Sequence, residues 1–325
     1  MRISIGLSDT ARTRPLATGE VAIEGVEADL RFMGVQELFN HQLAHHEFDV
    51  CEFPLATYFR SLEKEDRPYL AVPVFPSRHF RLSCVFVSEK SDVRTPADLA
   101  GRRIGISVFD MAAGVWVRGM LHDHFGLDRH APTYVIGGLE QPRRGDEHPQ
   151  FYPPGFVFEH RTDASLAQLL AEGEIDALVT ARAPSTWPDH GVRRLFDDPR
   201  ATELDYYRRT GLFPAMHVLA LKRPLAERCP ELPMALYRAF TASYDAARAR
   251  FHDSAALDSV LPWQLEHLLD TERLLGHDYW SSGVRANAAM LRTAVDYSLA
   301  DGLISTAFEV ADLFRGPGEA DVLST

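Results

Sequence analysis

The chain has 325 residues, of which 46% are hydrophobic and 25% are charged, a composition typical of a soluble globular protein large enough for two domains. Its formal net charge of −12 argues against nucleic acid as a partner, because a phosphate backbone requires a basic surface. A small anionic ligand is still compatible with this charge, since a few arginines in a cleft can bind it.

The sequence contains no run of about 18 apolar residues, so it predicts no transmembrane helix and no membrane partner. Residues 1–9 become polar too early for a signal peptide and predict a first strand. The three cysteines, Cys51, Cys84 and Cys229, are odd in number and widely spaced, which indicates free thiols rather than a metal site. Together these features favour the cytoplasm.

Strand-like and helical patterns alternate through the first two thirds of the chain. The predicted strands are 3–7, 48–51, 70–75, 82–87, 102–107, 133–136 and 177–180, with a further buried strand after Pro214. The predicted helices are 35–44, 112–122 and 165–171, followed in the last third by 233–250, 257–269 and 284–299. The segment 137–155 predicts a long loop. This alternation indicates an α/β fold with largely parallel sheets and a helical C-terminal segment.

Polar side chains follow several predicted strands, where the ligands of open α/β sheets bind. A planar guanidinium matches a carboxylate with two parallel hydrogen bonds, so the arginines among these residues are candidates for binding an acid. The alternative for each is a surface position or a structural ion pair. The substrate-binding candidates with polar side chains are Arg12, Arg14, Ser77, Arg78, Arg81, Arg118 and Arg182.

Three residues are candidates for proton transfer. His217 stands between a Gly/Pro turn and an apolar run, and a histidine suits proton delivery at neutral pH. The alternative is a hydrogen-bonded core histidine. His79 is a second candidate acid. Glu52, directly after a predicted strand, would accept a proton from a substrate hydroxyl, and its alternative is a capping or surface carboxylate.

Other features have a functional and a structural interpretation. Trp116 and Phe213 would supply apolar walls for an aromatic ring, or pack in the core. The helix that begins near residue 111 would bind an anion at its N-terminus. The histidines at 41, 45 and 46 fit a metal site less well than a solvated helix face, so no metal ligand is assigned.

Several segments resemble the 4,5-dihydroxyphthalate decarboxylase family. In chain order they are RTRPL at 12–16, FDVCE at 48–52, FPSRHFR at 75–81, GVWVRG at 114–119, TGLFPAMH at 210–217 and a run that begins GHDYW at 276–287. The resemblance extends from the first strand to about residue 315. Two positions depart from the family pattern, since Ala112-Ala113 replaces a usual threonine and Arg143 replaces a common glycine.

The resemblance implies a type II periplasmic-binding-protein-like fold, with a cleft between two lobes. The first lobe would contain 1–84 and 208–325, and the second would contain 85–207, with His217 at the hinge and facing the cleft. No organic cofactor is implied, and the sequence leaves a divalent metal and a homo-oligomer open.

The implied activity is the non-oxidative decarboxylation of a hydroxylated aromatic acid, namely 4,5-dihydroxyphthalate to 3,4-dihydroxybenzoate and CO₂. Glu52 would take a hydroxyl proton, His217 or His79 would protonate the ring carbon, and arginines would hold the carboxylate that stays. The alternatives are a cytoplasmic solute-binding protein of the same fold for a small aromatic carboxylate, and a decarboxylase of a different hydroxybenzoate.

Overall fold

The computed structural model describes residues 1–143, 145 and 150–314. Contacts within the chain group these residues into two units. The first unit contains Met1–Arg78, Ala215–Arg292 and the described residues from Phe308 onward, and the second contains His79–Pro214 and Thr293–Ala307. Part of the predicted loop 137–155, namely residues 144 and 146–149, lies outside the described residues.

Strands and helices alternate along the chain. The strands are β1 (Arg2–Leu7), β2 (Glu27–Phe32), β3 (Val50–Pro54), β4 (Tyr69–Val72), β5 (Val85–Ser88), β6 (Arg103–Ile106), β7 (Thr133–Ile136), β8 (Val157–His160), β9 (Ala177–Val179), β10 (Val192–Arg194) and β11 (His217–Lys222). The helices are α1 (Arg14–Ala17), α2 (Val35–His45), α3 (Leu55–Leu62), α4 (Ala112–Phe125), α5 (Leu166–Glu172), α6 (Pro199–Thr210), α7 (Arg223–Arg228), α8 (Leu232–His252), α9 (Gln264–Leu275) and α10 (Ala288–Ala300).

The first unit is built on a sheet with the strand order β2-β1-β3-β11-β4. β1 runs parallel to β2 and β3, whereas β11 lies antiparallel between β3 and β4. Apolar side chains of the sheet, among them Ile5, Val50 and Leu219, form one core with Leu236 and Phe240 of α8. This packing holds the C-terminal helical segment against strands from the start of the chain.

The second unit contains a sheet with the order β10-β5-β9-β6-β7-β8. β6 is parallel to β7 and β9, and β7 is parallel to β8, while β5 is antiparallel to both of its neighbours. Val135 and Leu178 of this sheet pack against Leu166, Leu169 and Leu170 of α5. Parallel strands covered by helices are the α/β pattern predicted from the alternation.

The part of α10 from Thr293 onward belongs to the second unit, although it lies near the C-terminal end of the described chain. Its Tyr297 packs edge-on against Trp116 of α4, with ring centroids 5.5 Å apart. Gly119 makes this approach possible, because a Cβ there would overlap the Tyr297 ring. The contact grouping therefore places 293–307 apart from the expected first lobe, and the expected lobe ranges 1–84, 85–207 and 208–325 stay predictions.

Most predicted elements are present, with ends that differ by a few residues. The prediction of a strand over 82–87 is wrong in its first half, because Leu82–Cys84 is a 3₁₀ turn and only Val85–Ser88 pairs with β9 and β10. The predicted helix 257–269 begins only at Gln264, because a proline at 262 disfavours helical backbone at the preceding residue. Within the described residues, no helix is long and apolar enough to cross a membrane.

Candidate functional site

The register of β3 and β11 brings Glu52 and His217 together. His217 pairs with Pro54 and Leu219 pairs with Glu52, so Glu52 and His217 are diagonal neighbours on one face of the sheet. The distance from His217 Nδ1 to Glu52 Oε1 is 2.6 Å. Only 1% of the Glu52 side chain and 12% of the His217 side chain are exposed. The expected proton-transfer residues therefore form a shielded pair.

Ser8, the residue after β1, forms hydrogen bonds to the other oxygen of the Glu52 carboxylate. Its backbone N–H donates to Glu52 Oε2 at 3.1 Å, and its hydroxyl donates to the same oxygen. Burial raises the pKa of Glu52, but the bonds and charge of His217 and the bonds from Ser8 outweigh it and lower the pKa below its ordinary value. Glu52 is thus held as a carboxylate, and both of its oxygens accept hydrogen bonds.

This arrangement defines what the imidazole of His217 can do. A carboxylate accepts from Nδ1–H, so Nε2 is the nitrogen that exchanges a proton elsewhere. Within the described residues, Nε2 has no hydrogen-bond partner. The ring of Phe39 packs edge-on against the imidazole, with centroids 4.9 Å apart. The pair therefore has the geometry of an oriented acid or base.

An open cavity of about 410 Å³ adjoins Ser8 in the first unit. Apolar side chains make up part of its wall, and Asp9 contributes a carboxylate. The cavity is lined by Ser8, Asp9, Phe32, Met33, Gly34 and Val35. It is large enough for a single aromatic ring with substituents.

Arg12 lies in the turn between β1 and α1, in the same unit. Its Nε donates to the carbonyl of Pro76 at 3.0 Å, and its Cζ lies 4.3 Å from the centroid of the Trp280 ring. Burial lowers the pKa of Arg12, while the charge of Glu52 raises it. Burial is the larger effect, so the pKa of Arg12 is lowered overall.

Ser77 and Arg78 follow Pro76 and have structural contacts in the first unit. The carbonyl of Ser77 accepts from the backbone N–H of Met216 at 2.8 Å. Arg78 is buried and donates to the Ser281 carbonyl and to the Asn287 side chain. Burial lowers the pKa of Arg78 to about 10, so its guanidinium stays charged at neutral pH.

Three further candidates have structural roles within the protein. Arg14 is exposed and pairs with Asp258 at 3.2 Å. Arg118 is buried and pairs with Asp301 at 2.7 Å. Trp116 is only 1% exposed. The site that we propose below therefore excludes Arg14, Arg118 and Trp116.

The remaining candidates lie in the second unit. His79 is exposed, and its ring contacts the carbonyl of Phe80. Arg81 is buried and donates to the carbonyl of residue 181 at 3.3 Å. Phe213 packs on Phe80 with centroids 4.8 Å apart, and Arg182 is exposed. The first unit thus holds the His217 and Glu52 candidates, and the second unit holds His79, Arg81, Arg182 and Phe213.

The structure adds residues that the sequence did not single out. Ser8 binds Glu52, and its position directly after the first strand is the available signal in the sequence. Trp280 lies under Arg12 and stacks with Tyr244, with centroids 6.1 Å apart. Trp280 lies in a segment of family resemblance, but nothing local in the sequence indicated that it would contact Arg12.

Within the part of the chain that the structure describes, no three His, Cys, Asp or Glu side chains are grouped as metal ligands. The histidines at 41 and 46 have other partners, since His41 Nδ1 lies 2.6 Å from Glu47 and His46 Nδ1 lies 2.6 Å from the Tyr69 hydroxyl. These contacts account for two of the three histidines that suggested a metal.

Comparison with known proteins assigns the chain to a family. The 4,5-dihydroxyphthalate decarboxylase of Comamonas testosteroni is 36% identical over 319 residues, which cover 97% of this chain and 96% of that protein. This chain belongs to the 4,5-dihydroxyphthalate decarboxylase family. The decarboxylase of the same name from Pseudomonas putida is 35% identical over 211 residues, covering 64% of this chain and 82% of that protein. No protein-family model matches the chain.

A solved structure supports the fold of this decarboxylase-family chain. A conserved gene product of Candida albicans with the generic periplasmic binding protein fold superposes with a TM-score of 0.54 at 12% identity, covering 95% of this chain and 93% of that one. At this level of identity the likeness concerns the fold alone. The family and the periplasmic-binding-protein-like fold expected from the sequence are therefore confirmed.

The family departures noted in the sequence lie in the second unit. Ala112-Ala113 forms the first turn of α4, and both residues are buried. The Arg143 guanidinium donates to the Ser107 carbonyl at 2.7 Å. Arg143 therefore contacts the start of the segment that joins β6 to α4, and Ala112-Ala113 directly follows the end of that segment.

Proposed function

We propose that this chain decarboxylates 4,5-dihydroxyphthalate to 3,4-dihydroxybenzoate and CO₂ without a redox step, and so acts in the breakdown of aromatic acids. Its two curated relatives carry the name of this activity. The single observation that carries the proposal is the His217–Glu52 pair, because loss of CO₂ from an aryl carbon requires an oriented acid.

In the proposed mechanism, protonated His217 delivers the Nε2 proton to the ring carbon that bears the leaving carboxylate. A hydroxyl para to that carbon gives up its proton to a solvent water and pushes electrons into the ring, and this proton returns to the oxygen once CO₂ has left. The bond between the ring carbon and the carboxylate then breaks, and its electron pair restores aromaticity. The carboxylate leaves as CO₂, the new C–H bond holds the proton from His217, and the para oxygen regains a proton.

Glu52 has a different part in this mechanism from the one expected from sequence. Because its oxygens bind His217 and Ser8 and its side chain is 1% exposed, it does not reach a substrate hydroxyl. We assign it as a positioning residue that orients the imidazole and stabilises its protonated form. The carboxylate of an acid–base triad has the same task toward its histidine.

A turnover assay tests the proposal directly. Purified protein mixed with 4,5-dihydroxyphthalate at neutral pH is expected to release CO₂ and 3,4-dihydroxybenzoate in equal amounts, measured by a coupled CO₂ assay and mass spectrometry. Phthalate is the matched control, because it lacks the hydroxyl that pushes electrons and is expected to stay intact. Absence of turnover, with and without added divalent metal, would refute the substrate assignment. Binding of 4,5-dihydroxyphthalate without consumption would favour the solute-binding alternative.

The cytoplasm is the proposed location of this activity. Cys51 and Cys84 are buried free thiols, and Cys229 is a partly buried one. Free thiols persist in a reducing compartment. Cell fractionation is expected to recover the protein with cytoplasmic markers, and recovery with periplasmic markers would contradict this location.

A further inference from the structure

Arg12 differs from Arg118, Arg129 and Arg248 in what its guanidinium contacts. Arg118 and Arg129 both pair with Asp301, and Arg248 pairs with Glu272. Arg12 instead donates Nε–H to a backbone carbonyl and stacks on an aromatic ring. Within the described residues, no carboxylate lies at ion-pair distance from it. A partly buried guanidinium of this kind is suited to an external carboxylate.

The surroundings of Arg12 fix its position before a ligand arrives. The Ser243 hydroxyl of α8 donates to the Arg12 carbonyl at 2.6 Å. The indole N–H of Trp280 donates to the Phe75 carbonyl at 3.0 Å, and Tyr244 stacks on the same indole. A guanidinium held over a fixed ring loses less conformational entropy when it binds an anion.

The segment 75–77 connects Arg12 to the proton donor. The Pro76 carbonyl accepts from Arg12, and the next carbonyl, that of Ser77, accepts from the backbone of Met216 directly before His217. One short segment therefore sets the position of the guanidinium and that of the imidazole.

We propose that Arg12, stacked on Trp280, binds the carboxylate that the substrate retains through the reaction. The proposal rests on the decarboxylase function given above. A guanidinium paired with the leaving carboxylate would stabilise an anion that must become neutral CO₂, and this ground-state stabilisation would raise the barrier. The retained carboxylate keeps its charge throughout, so binding it orients the ring without this penalty.

This subsite explains why the reaction would stop after one CO₂. The product, 3,4-dihydroxybenzoate, still has a hydroxyl para to its carboxylate and is electronically competent for a second decarboxylation. With that carboxylate on Arg12, it is held away from the acid. Arg12 therefore acts as a specificity-determining residue that restricts turnover to diacids.

Binding of two product-like ligands tests the subsite. Calorimetry with 3,4-dihydroxybenzoate and with catechol, which lacks the carboxylate, compares the wild-type protein with Arg12→Gln. The variant is expected to bind 3,4-dihydroxybenzoate roughly 10- to 100-fold more weakly and catechol less than about threefold more weakly. Arg273→Gln is the matched control, because Arg273 is an exposed arginine on α9 that pairs with Asp270. It is expected to bind both ligands as the wild type does.

Three results would overturn the subsite. They are equal weakening of both ligands, unchanged binding of 3,4-dihydroxybenzoate while the KM for 4,5-dihydroxyphthalate rises, and no binding of 3,4-dihydroxybenzoate by the wild type. If Arg12→Gln does not fold, Arg12→Lys keeps the charge but not the planar fork, and is expected to weaken 3,4-dihydroxybenzoate alone. Wild-type turnover separates the two proposals, because its absence refutes the function, whereas turnover with Arg12-independent product binding refutes only the subsite.

Discussion

At the scale of single residues, the chemistry depends on which nitrogen of His217 is free. The Glu52 carboxylate accepts a hydrogen bond from Nδ1, and Ser8 donates two hydrogen bonds to the same carboxylate. The carboxylate is therefore prevented from rotating away from the imidazole. The imidazole is therefore oriented by two strands and one turn rather than by its own rotamer preference. We expect loss of the imidazole to lower kcat, and loss of the charge beside it to shift the pH dependence of kcat.

Replacing His217 by Asn removes the proton donor and keeps a polar side chain of similar size. We expect kcat for 4,5-dihydroxyphthalate to fall by roughly 10²- to 10⁴-fold, the range for loss of a general acid. Steady-state kinetics measures this, and His267→Asn on the exposed face of α9 is the control with wild-type kcat. A change below about threefold would make His217 a structural core residue.

Glu52→Gln separates positioning from proton donation. The amide has one accepting oxygen, which suits the two Ser8 donors, and its NH₂ group would face Nδ1, so the protonated imidazole is disfavoured. The pH above which kcat falls is therefore expected to shift downward, which a purely structural substitution would not cause. An unchanged pH profile would contradict the positioning role.

At the scale of elements, a buried carboxylate directly after α10 stabilises the second unit. Asp301, directly after α10, is fully buried and accepts from Arg118 of α4 and from Arg129. Arg118 also lies over the Phe109 ring, with its Cζ 3.8 Å from the centroid. Two guanidiniums thus depend on one carboxylate.

Asp301→Asn leaves both guanidiniums buried without a countercharge. We expect it to lower the free energy of unfolding by about 3–5 kcal/mol, the cost of breaking a buried pair from one side. Chemical denaturation measures the loss. Asp270→Asn, at an exposed pair on α9, is expected to cost less than about 1 kcal/mol. Equal effects of the two substitutions would show that burial does not strengthen the Asp301 contacts.

The strands differ in how well the sequence pattern predicts them. Strands with continuous apolar runs, such as β7 and β11, were found because both faces are covered. The sequence does not predict the edge strands β2, β8 and β10, since β2 alternates charged and apolar residues and β8 and β10 have only four and three residues. Pattern analysis has little signal for such short or half-solvated strands.

The site was predictable to a similar degree. His217 and Glu52 were both named, because each is a polar residue at the end of an apolar strand. Their contact was not derivable from local pattern, since it spans 165 residues. The local sequence does not distinguish the six candidate arginines. Arg12 and Arg118 differ in their contacts, because Arg118 pairs with Asp301, 183 residues away in the chain, whereas Arg12 donates to a backbone carbonyl.

At the scale of the whole molecule, folding lowers the pKa of several carboxyl groups. They are Asp49, Glu52, Asp98, Asp128, Asp163, Glu272 and Glu309. A carboxyl with a lowered pKa takes up protons more readily when unfolded, so its stabilising contribution is present at neutral pH and lost on acidification. Glu203 has the opposite effect on the pH dependence of stability, because burial raises its pKa.

We therefore expect the free energy of unfolding to fall as the pH drops below about 4.5, the ordinary pKa of a glutamate. Urea denaturation between pH 7 and pH 3 measures the slope. The Glu52→Gln curve is expected to be flatter than the wild-type curve over this range. Glu65→Gln, at an exposed glutamate, is the control. Parallel wild-type and Glu52→Gln curves would contradict a lowered pKa at Glu52.

The antiparallel insertion of β11 between β3 and β4 has a consequence for biosynthesis. During translation, β3 and β4 leave the ribosome long before β11, so their facing edges carry unpaired backbone groups in the nascent chain. The second unit's sheet strands, from β5 to β10, are all synthesised within this interval. The proton donor is itself the first residue of the late strand. Completion of the first sheet and assembly of the His217–Glu52 pair are thus one event, and a chain released before residue 217 lacks both.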